Sequence, residues 1–253
     1  MSELSGRRLL DLRAIEAEKQ RRARNRIDRY YPDTGPLRRE LYQKHLKFFR
    51  AGGTHEPMDC CPADCDGSYH RERCFMAANR VGKTEGVGAY EMTCHLTGLY
   101  PDWWDGKRFS KGIKAWAAGD TGKTVREIIQ EKLMGKVGQW GTGMIPGDLI
   151  THRTLKQGIS DAIDTIYVRH MSGENSILVL KSFDQRREAF QGSEQDVIWL
   201  DEEPDQAVYV ECVLRTMTTA GLILVTFTPL SGMSDVVLSY LPGGTLPGAA
   251  AAV

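Results

Sequence analysis

No apolar run in this chain is long enough to cross a bilayer, which takes about 20 such residues. The first residues, Met1-Ser2-Glu3-Leu4-Ser5-Gly6-Arg7-Arg8, lack the apolar core of a secretory leader. Net charge is absent as well. The 33 Lys and Arg balance 33 Asp and Glu, so composition alone announces no nucleic-acid partner. Cysteine is sparse, six residues in all, and with no leader these read as thiols or metal ligands rather than disulfides. No internal repeat is evident. These absences predict a soluble intracellular protein with no membrane contact.

What is present is an ordinary globular balance. The chain has 253 residues, 41% apolar and 26% charged, enough for one large α/β domain or one domain with a small appendage. Charge is unevenly placed. Residues 1–50 hold fourteen Lys and Arg against seven Asp and Glu, with Arg21, Arg22, Arg24, Arg26 and Arg29 crowded together. That cluster is either a solvated helix face or a contact for phosphates or an acidic partner.

Periodicity divides the chain. Residues 3–29 read as a charged helix and 37–50 as a second, ended by Ala51-Gly52-Gly53. Residues 54–73 form a polar stretch. From Cys74 the pattern alternates: strand 74–78, helix 84–96, strand 113–118, helix 124–134, strands 163–170 and 176–182 around a turn, strand 197–200, helix 208–216 and strand 222–227. Alternation of this kind predicts a mostly parallel central sheet flanked by helices, preceded by an N-terminal helical segment. The expected domains are 1–53, helical and basic; 54–73, a cysteine-containing loop; 74–240, the core; and 241–253, a linker or ragged end rich in Gly, Pro and Ala.

Two motifs carry chemistry. Asn79-Arg80-Val81-Gly82-Lys83-Thr84 follows a strand and opens a helix. In such a loop backbone N–H groups and the helix N-terminus surround phosphates, Lys reaches the terminal phosphates, and the next hydroxyl binds Mg²⁺. Ala77 stands where the usual pattern has its first glycine. A near-copy, Gly119-Asp120-Thr121-Gly122-Lys123-Thr124, also follows a strand and opens a helix. Pattern alone barely separates the two. Asp120 counts against the second, because a carboxylate repels phosphate, and Arg80 counts for the first. The other motif is Val197-Ile198-Trp199-Leu200-Asp201-Glu202-Glu203, a buried strand ending in carboxylates. Asp201 can hold Mg²⁺ and Glu202 can polarise the attacking water, or the group is an acidic helix start. Glu203, followed by Pro204, is given a secondary role. Cys60, Cys61, Cys65, His70 and Cys74 approach zinc-knuckle spacing. Because Cys74 begins a predicted buried strand, a polar loop with incidental thiols is preferred, with Zn²⁺ as the alternative.

Further segments extend the pattern: His95-Leu96-Thr97-Gly98-Leu99-Tyr100-Pro101-Asp102-Trp103-Trp104, Phe190-Gln191-Gly192, and Thr226-Phe227-Thr228-Pro229-Leu230-Ser231-Gly232. With the two motifs, in this order over roughly residues 37–240, the chain resembles the large terminase subunit of tailed bacteriophages, the ATP-driven motor that packages double-stranded DNA. The resemblance implies an ASCE-type P-loop NTPase using ATP and Mg²⁺. Asn79, Arg80, Val81, Gly82, Lys83 and Thr84 would hold the nucleotide, with Arg80 at the γ-phosphate. Thr84 and Asp201 would hold the metal, and Glu202 would activate water. Thr226 and Thr228 would couple nucleotide state to DNA movement, unless they reflect only strand propensity. Gln43 would contact adenine, and Arg187, preferred over Arg186, would reach the neighbouring subunit's site. Partners would be double-stranded DNA, the portal protein and the small terminase subunit, with a homo-oligomeric ring on the capsid, a monomer in isolation, and the host cytoplasm as location. The family's nuclease domain has no counterpart before Val253, so weak ATP hydrolysis and no DNA cleavage are expected. A helicase-like or switch-type NTPase, or a non-hydrolysing nucleic-acid- or capsid-binding module, are the alternatives.

Overall fold

A computed structural model of the chain describes residues 26–54, 67–230 and 232–241. The predicted zinc-knuckle residues Cys60, Cys61 and Cys65 lie outside these, as do most of the predicted first helix and the 242–253 tail. Seven strands form one sheet: β1 (Glu72–Met76), β2 (Lys114–Gly119), β3 (Ile150–Leu155), β4 (Ile163–Arg169), β5 (Asn175–Ser182), β6 (Val197–Asp201) and β7 (Leu222–Phe227). Their order is β1-β7-β6-β2-β5-β4-β3. The first five in that order run parallel, and β4 and β3 add antiparallel strands at the far side.

Five helices matter for the site. α1 (Gln43–Arg50) follows a 3-10 turn, Arg39–Tyr42. α2 starts as a π-helix, Lys83–Ala89, and continues as an α-helix, Tyr90–Thr97. α3 covers Gly122–Thr124, Val125–Gln130 and Glu131–Met134. α4 (Gln206–Thr216) is capped by the Asp205 carboxylate on Val208 N–H, and α5 (Asp235–Ser239) by Ser234. Residues 26–30 are also helical.

The central strands are apolar on both faces, so each face is covered. Ala115, Ala117, Val197, Trp199, Leu222 and Leu224 face α2, α3 and an aromatic cluster of Tyr31, Phe49, Tyr90 and Trp104. Trp116, Ala118, Ile198, Leu200, Ile223, Val225 and Phe227 face α4 and α5. A buried ion pair ties α2 to β1: Arg73 reaches Glu91 at 2.6 Å, and His95 lies 3.1 Å from the same carboxylate. Burial pushes Glu91 up, but Arg73 and His95 outweigh it and hold its pKa below the ordinary value.

α2 approaches the sheet closely because Gly88 has no side chain. A Cβ there would lie 2.1 Å from Cε2 and 2.3 Å from Nε1 of the buried Trp199 indole. Gly88→Ala is expected to destabilise the fold by about 1–3 kcal/mol by overpacking. Urea unfolding checks this: an unchanged midpoint would mean that helix and sheet separate freely.

Two features depart from the pattern in the sequence. β3 has no counterpart among the predicted strands, and the helix expected over 37–50 begins as a 3-10 turn. The exposed, polar β3 sequence, Ile-Thr-His-Arg-Thr-Leu, offers little apolar signal.

Candidate functional site

The parallel register sets three chain segments side by side. Asp201 pairs with Thr226, and Met76 with Phe227. β1, β7 and β6 therefore end together, and the residues just after each strand gather at one edge of the sheet. Ala77 N–H still bonds Phe227 O, so Ala77 extends the ladder and does not adopt a positive φ. A glycine is unnecessary at that point. Beyond it the chain reverses through Arg80 (φ 64°) and Gly82 (φ 84°). The turn delivers the N-terminus of α2, whose first bonds run from Gly86 and Val87 N–H to Gly82 O. The second of these spans five residues, the π-type opening often found at functional sites.

The loop residues converge with the strand ends. Lys83 is buried and donates to Thr228 Oγ1 at 2.9 Å and Asn79 Oδ1 at 3.2 Å. Thr228 Oγ1 is also 2.9 Å from Ala77 O. Thr84 Oγ1 donates to Asp201 Oδ1 at 3.0 Å, and Thr226 Oγ1 donates to the same oxygen at 2.7 Å. Trp199 Nε1 donates to Thr226 at 2.8 Å. Burial pushes the Asp201 carboxyl up to about 7, with Glu202 adding to the rise and Thr226, Thr84 and Lys83 opposing it. Thr84 and Asp201, a hydroxyl and a carboxylate at hydrogen-bond distance, are a donor set suited to a hard cation such as Mg²⁺. Glu202 is half-buried at the strand end with φ 87°, and its N–H bonds Thr226 O at 2.9 Å.

The near-copy is built differently. Lys123 is exposed, and Gly122 is not in the left-handed region. Thr124 spends its hydroxyl on a capping box with Thr121. Gly122 N–H donates to the Asp184 carboxylate at 3.3 Å, so an acid of the chain itself sits where a phosphate would go.

Gln43 is exposed, and its amide bonds Glu40 O. It does not line the cavity of about 580 Å³ beside the loop, which is bounded by Arg26, Arg29, Tyr30, Tyr42, His45 and Arg80 among others. Arg187 is exposed on a 3-10 turn after β5, 3.3 Å from Glu211 of α4. Arg186 beside it has φ 59°. Both come after the end of β5, on the same edge of the sheet as the loop but beyond β6 and β2. Trp199 and His45 also touch the candidate site: Trp199 stands within the carboxylate-strand motif without a predicted role there, and His45 lies in no motif. A tryptophan inside a strand signals a buried N–H in need of a partner; nothing in the sequence marks His45. Among the described residues no group of three or more His, Cys, Asp and Glu side chains could hold a metal. Cys74 is a partly buried free thiol, pushed up to about 12 by burial and then by Glu203.

A strand, a left-handed glycine turn, a buried lysine at a helix start and a neighbouring strand ending in a buried acid define an α/β P-loop nucleotide-binding domain. Residues 74–245 match the family model described as terminase large subunit, T4likevirus-type, N-terminal, and the chain belongs to that family. The large terminase subunit of Salmonella phage P22 is 35% identical over 195 residues, which is 69% of this chain. The match takes in 39% of that relative's length, so the chain spans well under half of it. Among solved structures, the large terminase ATPase domain of Thermus phage P74-26 is 18% identical with a TM-score of 0.44, covering 72% of this chain and 68% of that one. The large terminase of a thermophilic bacteriophage, in complex with ADP, is 15% identical with a TM-score of 0.42, covering 73% and 37%.

Proposed function

We propose that this chain is the ATP-hydrolysing part of a motor that drives double-stranded DNA into a viral procapsid. The observation that carries the reading is a pair of hydrogen-bonded clusters, Lys83 with Asn79 and Thr228 and Thr84 with Asp201 and Thr226, set side by side because Lys83 and Thr84 are adjacent and β7 runs between β1 and β6. Lys83 and the loop N–H groups bind the β- and γ-phosphates, and Arg80 stabilises charge on the γ-phosphate. Thr84 and Asp201 would hold Mg²⁺, which would supply charge that offsets that of the phosphate oxygens. Glu202 orients and polarises the attacking water. The base enters the cavity lined by Tyr42, Arg26 and Arg29 rather than meeting Gln43.

Thr228 gives this cycle a readout. It shares Lys83 with the incoming phosphate, so the Lys83–Thr228 bond weakens when nucleotide binds and reforms on release. Thr226, two residues earlier and on β7, bonds Asp201, so one short stretch of chain touches both the phosphate-binding lysine and the proposed metal ligand. The family role supports double-stranded DNA, a portal protein and a small terminase subunit as partners, with Arg187 acting in a neighbouring subunit of a ring.

Parallel assays of Lys83→Ala and Lys123→Ala test the site. Lys83→Ala is expected to lower DNA-stimulated ATP turnover at least tenfold, and Lys123→Ala to leave it within about twofold. The reverse pattern would move the site to the 119–124 loop. No turnover by any form, with ADP still bound, would favour a non-hydrolysing binding module.

A further inference from the structure

His45 takes no part in the chemistry proposed above, yet it stands directly behind the phosphate loop. Its Nε2 is 3.2 Å from Val81 O, and its Nδ1 is 2.7 Å from Tyr31 Oη. Tyr31 Oη in turn lies 2.6 Å from Gly86 O. His45 Cε1 is 3.3 Å from where a Cβ on Gly82 would sit and 3.2 Å from the equivalent point on Gly86. One imidazole and one phenol therefore touch both ends of the turn that opens α2.

The protons in this chain of contacts can be counted. Val81 O and Gly86 O only accept, and Tyr31 has one proton to give. If Tyr31 donates to Gly86, then His45 Nδ1 has to donate to Tyr31. Nε2 has to donate to Val81. All three contacts are hydrogen bonds only when the ring carries both protons. In the neutral ring one contact fails. Either Nε2 turns a lone pair toward Val81 O, or Tyr31 turns its proton to His45 and faces Gly86 O across 2.6 Å with none between.

The surroundings decide which form prevails. Arg26, Arg29 and Arg80 share the cavity, Tyr42 lies against the ring from the turn that leads into α1, and Phe75 packs on it from β1 without charge. Among the described residues that line the cavity none is acidic, and Glu85 in α2 is engaged by Lys132 at 2.7 Å. Burial lowers the pKa of His45, with the Val81 contact opposing it. The free protein at neutral pH accordingly holds a neutral ring and an incomplete brace. A polyphosphate cradled by the loop brings several negative charges beside the ring and reverses that balance.

We propose that Tyr31 and His45 are positioning residues that brace the phosphate loop through a proton taken up by His45 when nucleotide binds. This rests on the reading of the loop as a nucleotide site. Linkage gives it a sign: nucleotide affinity gains a component that grows as pH falls toward the His45 pKa, and bound nucleotide raises that pKa.

The test uses the whole chain with its histidine rings labelled with ¹⁵N, and ADP as the probe. Ring nitrogen shifts report protonation, with the His45 signal identified by its loss in His45→Gln. The expected result is a rise of about one unit or more in the His45 pKa on saturation with ADP. Calorimetry in buffers of different ionisation heat should show proton uptake larger in wild type than in His45→Gln. Tyr31→Phe keeps the ring but removes its acceptor, and should weaken ADP binding several-fold and shrink the pKa rise. ADP binding with His45 neutral and unmoved overturns this inference alone. A failure of ADP to bind overturns the nucleotide-site reading and this inference with it.

Discussion

Replacing Glu202 with glutamine is expected to cut ATP turnover by about a thousandfold, the middle of the range for a lost general base, with ADP affinity within about twofold. The amide keeps the size and hydrogen-bonding reach of the side chain but cannot take a proton. Glu202 follows Asp201 at the end of β6 and its charge helps to raise the Asp201 pKa, so it stands beside the proposed metal position without being needed to hold the nucleotide. Its φ of 87° is a conformation that L residues adopt at a cost. The cost has a separate signature. Glu202→Gly should lose turnover as Glu202→Gln does, yet raise the unfolding free energy by about 1 kcal/mol, because glycine is at ease there. Phosphate release and ADP titration measure the first effect, and urea unfolding the second. If Glu202→Gln keeps more than a tenth of wild-type turnover, water activation belongs elsewhere, with the half-buried Glu203 next in line.

Asp201→Asn should stabilise the nucleotide-free protein at pH 8 while removing turnover. Burial is the main reason that the Asp201 pKa rises to about 7 from 3.8. Between those values the folded state keeps a proton that the unfolded chain has released. Stability therefore falls as pH rises from about 4 to about 7, and this contribution is level above that. The full cost of the buried carboxylate is present at pH 8, on the order of 4 kcal/mol from a shift of this size. An amide avoids that cost and can still accept from Thr84 and Thr226 through Oδ1. Thermal unfolding of both proteins at pH 5 and pH 8 decides the matter. The variant should be the more stable at pH 8, by a margin that narrows toward pH 5. Equal pH dependence would mean that Asp201 is already ionised in the fold. ADP with Mg²⁺ should narrow the difference at pH 8 by stabilising wild type more than the variant.

The sheet was legible because its inner strands are short apolar runs bounded by polar turns, which leaves few alternatives to a covered parallel sheet. Asp201 and Glu202 stand out as candidates because an apolar strand runs into them, whereas Thr226 and Thr228 enter only through the family resemblance; the parallel sheet brings the ends of β6 and β7 to one edge. Asp120 and Arg80 favour the first of the two Gly-Lys-Thr loops in the sequence, but what distinguishes them in the fold is not local: a left-handed turn at Gly82, and Asp184, which is 62 positions from the Gly122 amide it meets. Gln43 and His45 show what helical period leaves open. A glutamine on an amphipathic helix invites a role, while two positions later His45 turns inward against Val81 and Tyr31. Helical period places a residue on a face, but it does not say what the face meets.

The pairing of β1 with β7 has a temporal consequence. The contact between Ala77 and Thr228 spans 151 positions, and the strand that carries Thr226 is the last of the seven to leave the ribosome. Such non-local pairings form late and slowly, because the loop has to close before any contact rewards it. A nascent chain shorter than β7 has its lysine, Thr84 and its acid, but neither Thr226 against Asp201 nor Thr228 against Lys83. If the proposed site hydrolyses ATP, the onset of turnover during refolding should coincide with the final cooperative step.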